Sequence, residues 1–358
     1  MARVGLVFGG RSVEHRVSVV SARTVAGALA EAGHEVEPFG IDRDGRWVDA
    51  TLASGALAGE RDALEAAGQN RVAGLTRLLD SSVEVVFPLV HGTWGEDGTL
   101  QGFLEIVDLP YVGAGVTASA IAMDKRLAKA LMRRAGLPVV DWREVTAAAF
   151  ESDREASVAS VAELAFPLFV KPSGGGSSVG IRKVPDASRL ASAIEFALRF
   201  DGVALVERGV VGARELECSL VGYPRLEASV LGEVIPGREF YDYADKYLED
   251  GAQLLAPADL EPETDGLLRG LAIEAFAAIG GTSMARVDFL LHPEEGPFIN
   301  EINTLPGFTS ISMYPRLWGL SGFPLPDLVD RLVRDAFARH RDRARLNDGI
   351  RDWLAALE

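Results

Sequence analysis

Cysteine is nearly absent from this chain. Cys218 is the only one, so no intramolecular disulfide can form, and a reducing cytoplasm is the compartment expected. Nothing local would activate its thiol, which is expected in a buried strand rather than as a nucleophile. Positive charge is also scarce. Lys and Arg number 36 against 52 Asp and Glu, a formal charge of −16, which argues against a nucleic-acid or anionic-membrane surface. Long apolar runs are missing too: the best candidates are broken by Gly or charge, and none would span a bilayer. The first ten residues carry only a short apolar stretch, shaped like a strand rather than a signal peptide. There is no internal repeat and no low-complexity tract. What is present is 358 residues with apolar content for two or three domains. An acidic chain that handles phosphate must gather its basic residues locally, so each well-placed Lys or Arg is informative.

The pattern along the chain is α/β. Arg3 to Phe8, Val36 to Ile41 and Val83 to Val90 read as strands and Val17 to Ala32 as a helix, which predicts a parallel sheet with helices on its faces. Ala50 to Asn70, rich in Ala and Gly, reads as surface helix or loop. Ser119 to Ala135 predicts one long Ala-rich helix, stopped by Gly136-Leu-Pro138. Pro167 opens a strand from Leu168 to Lys171, and a helix from Ala187 to Phe200 leads into a strand from Val203 to Glu207. Strands then dominate to about Leu231, followed by a helix from Asp265 to Ile279.

The chemistry concentrates after that helix. Ala285 to Leu291 and Phe298 to Asn303 predict two strands joined by the turn-forming His-Pro-Glu-Glu-Gly-Pro. Alternation puts Arg286, Asp288 and Leu290 on one face, and Ile299, Glu301 and Asn303 on one face. If Leu291 pairs with Phe298, Asp288 lies opposite Glu301 and Arg286 opposite Asn303. Facing carboxylates repel unless something positive sits between them. A hard cation with Asp, Glu and Asn oxygen ligands answers that, and magnesium beside phosphate is the expected case. A solvated hairpin face is the alternative.

Other polar stretches stand where a fold alone would not ask for them. Gly-rich Pro172-Ser-Gly-Gly-Gly-Ser-Ser-Val-Gly180 has neither a P-loop ending nor the position of a dinucleotide fingerprint. It suggests a hairpin lid whose N–H groups and hydroxyls close over phosphates, with a flexible surface hairpin that binds nothing as the alternative. Lys171 and Lys125 are candidate phosphate partners. Gly9-Gly-Arg-Ser-Val-Glu14-His15 and His91-Gly-Thr-Trp-Gly-Glu-Asp-Gly98 follow strands, at the end where open α/β sheets bind ligands. Tyr241-Asp-Tyr-Ala-Asp-Lys246-Tyr247 has the composition of an ordered functional loop.

Taken in order, these motifs resemble the D-alanine:D-alanine ligase family of the ATP-grasp superfamily over nearly the whole chain. The series includes Met123-Asp-Lys125, Ala285-Arg-Val-Asp288, Asn300-Glu-Ile-Asn-Thr-Leu-Pro-Gly307 and Ser312-Met-Tyr-Pro315. The resemblance implies three α/β domains: a Rossmann-like, doubly wound 1–116, a central ATP-grasp domain 117–204 and a C-terminal one 205–340. A helical extension at 341–358 would follow. It implies ATP as a substrate, two magnesium or manganese ions, a monovalent cation admitted as activator, and D-alanine as the amino acid joined to itself. Lys125, Lys171 and Ser178 would contact ATP phosphates, Glu207 and Val210 the adenine, and Glu215 the ribose. Asp288, Glu301 and Asn303 would hold the metals. Glu14 would bind the first ammonium with His91 nearby, and Ser312 and Met313 the second carboxylate. Arg286 and the Gly307 N–H would form an oxyanion site. Ser177 and Tyr247 would join Glu14 in a hydrogen-bonded set, with Lys246 in the same loop. A cytoplasmic homodimer working on peptidoglycan precursors completes the implication.

Arg16 departs from the family, which commonly has an acidic residue there, as does the lid's Ser173-Gly-Gly-Gly. The rivals are a D-alanine:D-lactate ligase, disfavoured by Tyr247 because the lactate-forming enzymes carry a different loop, a D-alanine:D-serine ligase, and an inactive nucleotide-binding protein, disfavoured by retention of Arg286, both metal carboxylates and the lysines. In the extension, Ile350, Trp353, Leu354 and Leu357 have helical spacing and are expected to pack on their own domain, with an oligomer contact as the second use.

Overall fold

Strand β1 (Arg3–Gly9) is apolar on both faces because both faces are covered. It pairs in parallel with β2 (Glu35–Ile41) and β3 (Val85–Leu89), in the order β2-β1-β3. Val4, Leu6 and Phe8 pack with the buried faces of α1 (His15–Glu31) and α2 (Ala50–Leu57), while Val7 packs on the other side with Phe39, Leu78 and Leu104. The computed structural model describes residues 1–65, 72–235, 237 and 253–357. Helix α2 corrects one expectation: its Leu52, Ala53 and Ala56 are core, not surface, since small side chains let it lie close against β2 and α1. Helices α3 (Ala73–Asp80) and α4 (Thr99–Ile106) complete this layer.

The single helix expected from Ser119 to Ala135 is two, α5 (Val116–Met123) and α6 (Lys125–Arg134). Asp124 breaks it. Its backbone is extended, its carboxylate caps the N–H groups of Arg126 and Leu127, and it accepts from Ser173 Oγ at 2.6 Å. Ala-rich periodicity hid a residue that prefers to end a helix from its N-cap. The break puts Lys125 at the first position of α6, with its N–H bonded to Ser173 O.

The next sheet, β4-β7-β5-β6, is antiparallel and formed by β4 (Trp142–Thr146), β5 (Leu168–Pro172), β6 (Arg182–Val184) and β7 (Val203–Arg208). Helices α7 (Ala147–Ser152), α8 (Arg154–Val161) and α9 (Leu190–Ala197) supply the apolar side chains of its core. The Gly-rich segment joins β5 to β6 as the expected hairpin. The last sheet has the order β10-β9-β8-β11-β12, with β8 (Arg214–Gly222), β9 (Glu227–Ile235), β10 (Gln253–Leu255), β11 (Ser283–His292) and β12 (Gly296–Asn303). Helix α10 (Pro262–Ala278) buries Leu268, Ala272 and Phe276 against it.

Helix α11 (Met313–Leu320) precedes α12 (Leu325–Ala355), whose first half packs on α1. Arg339 donates to the carbonyls of Tyr111 and Gly113, His340 meets Asp108 at 3.0 Å, and Arg343 pairs with Glu105. Beyond Arg343 the expectation fails. Ile350, Trp353, Leu354 and Leu357 are exposed, because α12 continues straight past the end of the body instead of folding onto it.

Candidate active site

Strands β11 and β12 set the centre of the site. Asp288 pairs with Glu301 and Arg286 with Asn303, as expected, but Leu291 pairs with Pro297 rather than Phe298. The ladder shifts by one residue at Asp288/Phe289, where Asn300 is the extra residue of a bulge. Ile299 therefore leaves the Glu301 face and is fully buried in the core opposite Phe289. The bulge turns Asn300 towards the cleft that Glu301 also lines.

Strand β8 adds a carboxylate not foreseen from the sequence. Glu217 is the partner of Asp288 on its other side, so three carboxylates lie across three strands. Arg286 stands among them. It donates to both oxygens of Asp288 at 2.6 Å each, and its Nε is 3.3 Å from Glu217. Burial works against the Arg286 charge, but Asp288 and Glu217 outweigh it and raise its pKa well above the usual value. Lys125 donates to Gly175 O at 2.6 Å and lies 3.6 Å from Glu301.

Among the described residues no cluster of three or more His, Cys, Asp and Glu side chains converges as a metal cage. The donor set does suit a hard cation shared with a ligand's own oxygens: two cross-strand carboxylates and the Asn303 amide, all oxygen. Each Asp288 oxygen keeps lone pairs beyond the one given to Arg286, and Asn303 Oδ1 takes one bond, from Leu305 N at 2.9 Å.

Two cavities meet over this centre, of about 620 and 790 Å³, and share Lys125, Ser177, Arg286 and Glu301 on their walls. Lys171, Ser178, Glu207, Val210, Glu215 and Asp288 line the first. There Glu207 is buried between two lysines, Lys171 at 2.6 Å and Lys129 at 3.0 Å. Burial alone would raise the Glu207 pKa; Lys129 and Lys171 overcome it and hold it low. Burial lowers the Lys129 pKa, opposed by Glu207. Lys129 was not foreseen, though it stands one helical turn after Lys125, a spacing that puts both on one face of α6.

Glu14, His91, Gly307, Asn303, Ser312 and Met313 line the second cavity. Ser177 Oγ donates to Glu14 Oε1 at 2.5 Å, tying the Gly-rich hairpin to the N-terminus of α1. Ser21 fixes the floor, its Oγ accepting from Phe308 N at 3.1 Å and lying 3.2 Å from His91 Nε2. Gly307 is tightly placed, since a Cβ there would come within 2.9 Å of Ser312 Oγ. Glu96, in the loop begun by His91, lies 3.5 Å from the imidazole and was also not foreseen as a site residue. Lys246 and Tyr247 lie outside the described residues.

The buried His91–Glu96 pair carries a pH signature. Burial lowers the His91 pKa, but the Glu96 and Glu14 carboxylates outweigh it and raise it; burial, with Glu14 behind it, raises that of Glu96. Both groups thus hold protons more tightly folded than unfolded, so their contribution to stability falls as pH rises through the folded values. Glu96→Gln removes the largest of the groups opposing burial, leaving Glu14 and the Leu305 carbonyl, so the His91 pKa falls. The advantage of wild type over Glu96→Gln in thermal midpoint is expected to be largest near pH 5.5 and to shrink towards pH 8.5. A gap that widened with pH would contradict the assignment.

Comparison with known proteins finds relatives along nearly the whole chain. A family model described as D-ala D-ala ligase N-terminus matches residues 3–114, and one described as D-ala D-ala ligase C-terminus matches residues 131–334. The D-alanine–D-alanine ligase of Solibacter usitatus is 44% identical over 342 residues, covering 95% of this chain and 97% of its own. D-alanine–D-alanine ligase A of Escherichia coli K12 is 43% identical, with 94% and 96% covered. The structure of the Coxiella burnetii D-alanine-D-alanine ligase superposes with a TM-score of 0.81 at 34% identity, covering 99% of this chain and 98% of that one. The VanG D-Ala:D-Ser ligase of Enterococcus faecalis gives 0.79 at 30% identity, with 94% and 99% covered.

Proposed function

The chain belongs to the D-alanine–D-alanine ligase family, and from that premise we propose how the joined cavities divide the work. The protein is an ATP-dependent ligase that joins two D-alanines for peptidoglycan precursors. ATP takes the first cavity, between the central 117–204 and C-terminal 205–340 segments. Its adenine lies by Glu207 and Val210, its ribose by Glu215, and its phosphates under Ser178 beside Lys125 and Lys171. The amino acids take the second cavity, the first ammonium on Glu14 near His91 and the second carboxylate at Ser312 and Met313.

A carboxylate is a poor acylating agent, so one oxygen of the first D-alanine attacks the γ-phosphorus and ADP leaves. The amine of the second D-alanine then attacks the acyl carbon, and phosphate leaves. Arg286 and the Gly307 N–H are aimed at the oxygen that gains charge in that step. Asp288, Glu301 and Asn303 would hold two magnesium or manganese ions, which when bound supply positive charge against the triphosphate. Ser177, together with Tyr247 and Lys246 of the Tyr241–Tyr247 motif, excludes water from the acyl phosphate. The same reading makes the protein a cytoplasmic homodimer.

The observation that carries this division is Ser177 on Glu14: one hairpin roofs the Lys171 side and touches the carboxylate of the amino-acid side. The test is purified protein with ATP, magnesium and an equal mixture of D-alanine, D-lactate and D-serine, with products identified by mass. D-alanyl-D-alanine is expected to dominate at neutral pH. A predominance of the depsipeptide or of the D-serine product would transfer the protein to one of its rivals.

A further inference from the structure

Lys129 is a fully buried lysine that lines neither of the two cavities. Helix α6 sets it behind the wall of the first one, where its Nζ lies 3.0 Å from Glu207 Oε1. The other oxygen, Oε2, takes Lys171 at 2.6 Å. Strand register brings these last two together. Glu207 of β7 pairs with Phe169 of β5, which puts Lys171 on the diagonal of the same face. Burying an ammonium this fully is costly, and packing alone would be served as well by an apolar side chain. Lys171 and Glu207 by themselves would sum to zero charge, so the carboxylate that orients the Lys171 ammonium would also cancel it. Lys129 neutralises that carboxylate from behind, and the three groups together carry +1. Positive charge is scarce on this wall: Arg208 and Arg214 are each tied to a carboxylate, Glu295 and Glu233, in a chain of formal charge −16.

We propose that Lys129 is a positioning residue for nucleotide phosphate: acting through Glu207, it keeps the Lys171 ammonium oriented and its charge uncancelled. This rests on the reading above that ATP takes the first cavity. Lys129 touches no substrate itself. One unit of net charge a few ångströms behind the phosphates corresponds to about 10- to 100-fold in affinity at the effective dielectric of such a wall. It acts on phosphates and not on a neutral nucleoside, so what it sets is the preference for ADP over adenosine. Bound phosphates feel it before and during the reaction alike, so its loss raises the KM for ATP more than it lowers kcat. Lys129→Met takes the three groups to zero charge and Glu207→Gln takes them to +2, while the two changes together return them to +1.

The test is calorimetric titration of the full chain with ADP and, separately, with adenosine, at fixed magnesium. Lys129→Met is expected to lower the preference for ADP by about 10- to 100-fold, and the double variant with Glu207→Gln to regain it to within about threefold of wild type. A lysine that served packing alone would weaken both ligands together and would not be rescued by a second loss. Lys129→Met also leaves a buried carboxylate with one partner fewer and lowers the thermal midpoint. Where it is too unstable to titrate, Glu207→Gln is compared with the double variant, whose preference for ADP should be about 10- to 100-fold lower. An unchanged preference in Lys129→Met, a double variant that regains nothing, or one equal to Glu207→Gln overturns the proposal. Lys171→Met separates the two ways of failing. If it also keeps the wild-type preference, the phosphates lie elsewhere and the placement of ATP falls too. If it loses the preference while Lys129→Met does not, only the role of Lys129 falls.

Discussion

Glu301→Gln is expected to lower ligation at saturating magnesium by about 1,000-fold, the scale of losing one electrostatic stabiliser of a phosphoryl-transfer site. The same change should leave the fold nearly untouched. Glu301 faces Lys125 across 3.6 Å, and Lys125 keeps its bond to Gly175 O whatever happens at Glu301. A loose, partly open pair of that kind is worth at most about 1 kcal/mol. In a chain of 358 residues the thermal midpoint then falls by only about 1–2 °C. Asp288→Asn should be equally inactive but less stable, since it takes a carboxylate from Arg286 and leaves Glu217 as its nearest counter-charge. A second readout separates metal binding from catalysis: the rise in midpoint that magnesium and ATP give the wild type should be largely lost in both variants. Turnover near the wild-type rate in either one would remove Asp288 and Glu301 from the metal site.

The opposition of Asp288 and Glu301 was legible in the sequence, but for a partly mistaken reason. Alternation from a Leu291–Phe298 pair leads to the right partners only because the structure starts one residue tighter at the turn and regains that residue in the Asn300 bulge. Phe298 and Ile299 are both apolar, so the stretch before the bulge satisfies either register and no pattern marks it. Glu217 and Lys129 were hidden for a different reason. Each acts across elements distant in sequence, Glu217 from β8 onto β11 and Lys129 from α6 onto β7, and local periodicity carries no information about such meetings. The split at Asp124 was readable in principle, as an N-cap residue stood there, but the Ala-rich run around it was the stronger signal. The glycine and serine positions of the hairpin were the reverse case. Three glycines and two serines between strands suggest a hairpin, and the structure joins β5 to β6 there and puts Ser177 on Glu14. The stripe from Ile350 to Leu357 was visible as spacing, but spacing does not say whether a helix end folds back or continues outward.

Arg286→Ala is expected to lower kcat by about 100- to 1,000-fold while the Kd for ATP stays within about threefold, since a donor aimed at developing charge acts in the transition state. The surroundings of Arg286 make this more than an analogy with other oxyanion donors. The guanidinium is held on Asp288 and Glu217, which fixes its orientation and favours its charged form, as the proposed oxyanion role requires. Its removal leaves Asp288 and Glu217 facing each other without the guanidinium, while Glu301 keeps Lys125 at 3.6 Å. Their repulsion destabilises the empty enzyme, and a divalent cation relieves it. The Ala variant should therefore gain more in thermal midpoint from magnesium than wild type does, even as its turnover collapses. Arg286→Lys keeps the charge but not the planar pair of donors that spans both Asp288 oxygens, and should recover stability better than rate. Calorimetry of ATP binding beside single-turnover rates decides the matter. If ATP affinity falls as steeply as turnover, Arg286 is a phosphate ligand, and the oxyanion step must rest on the Gly307 N–H and other groups.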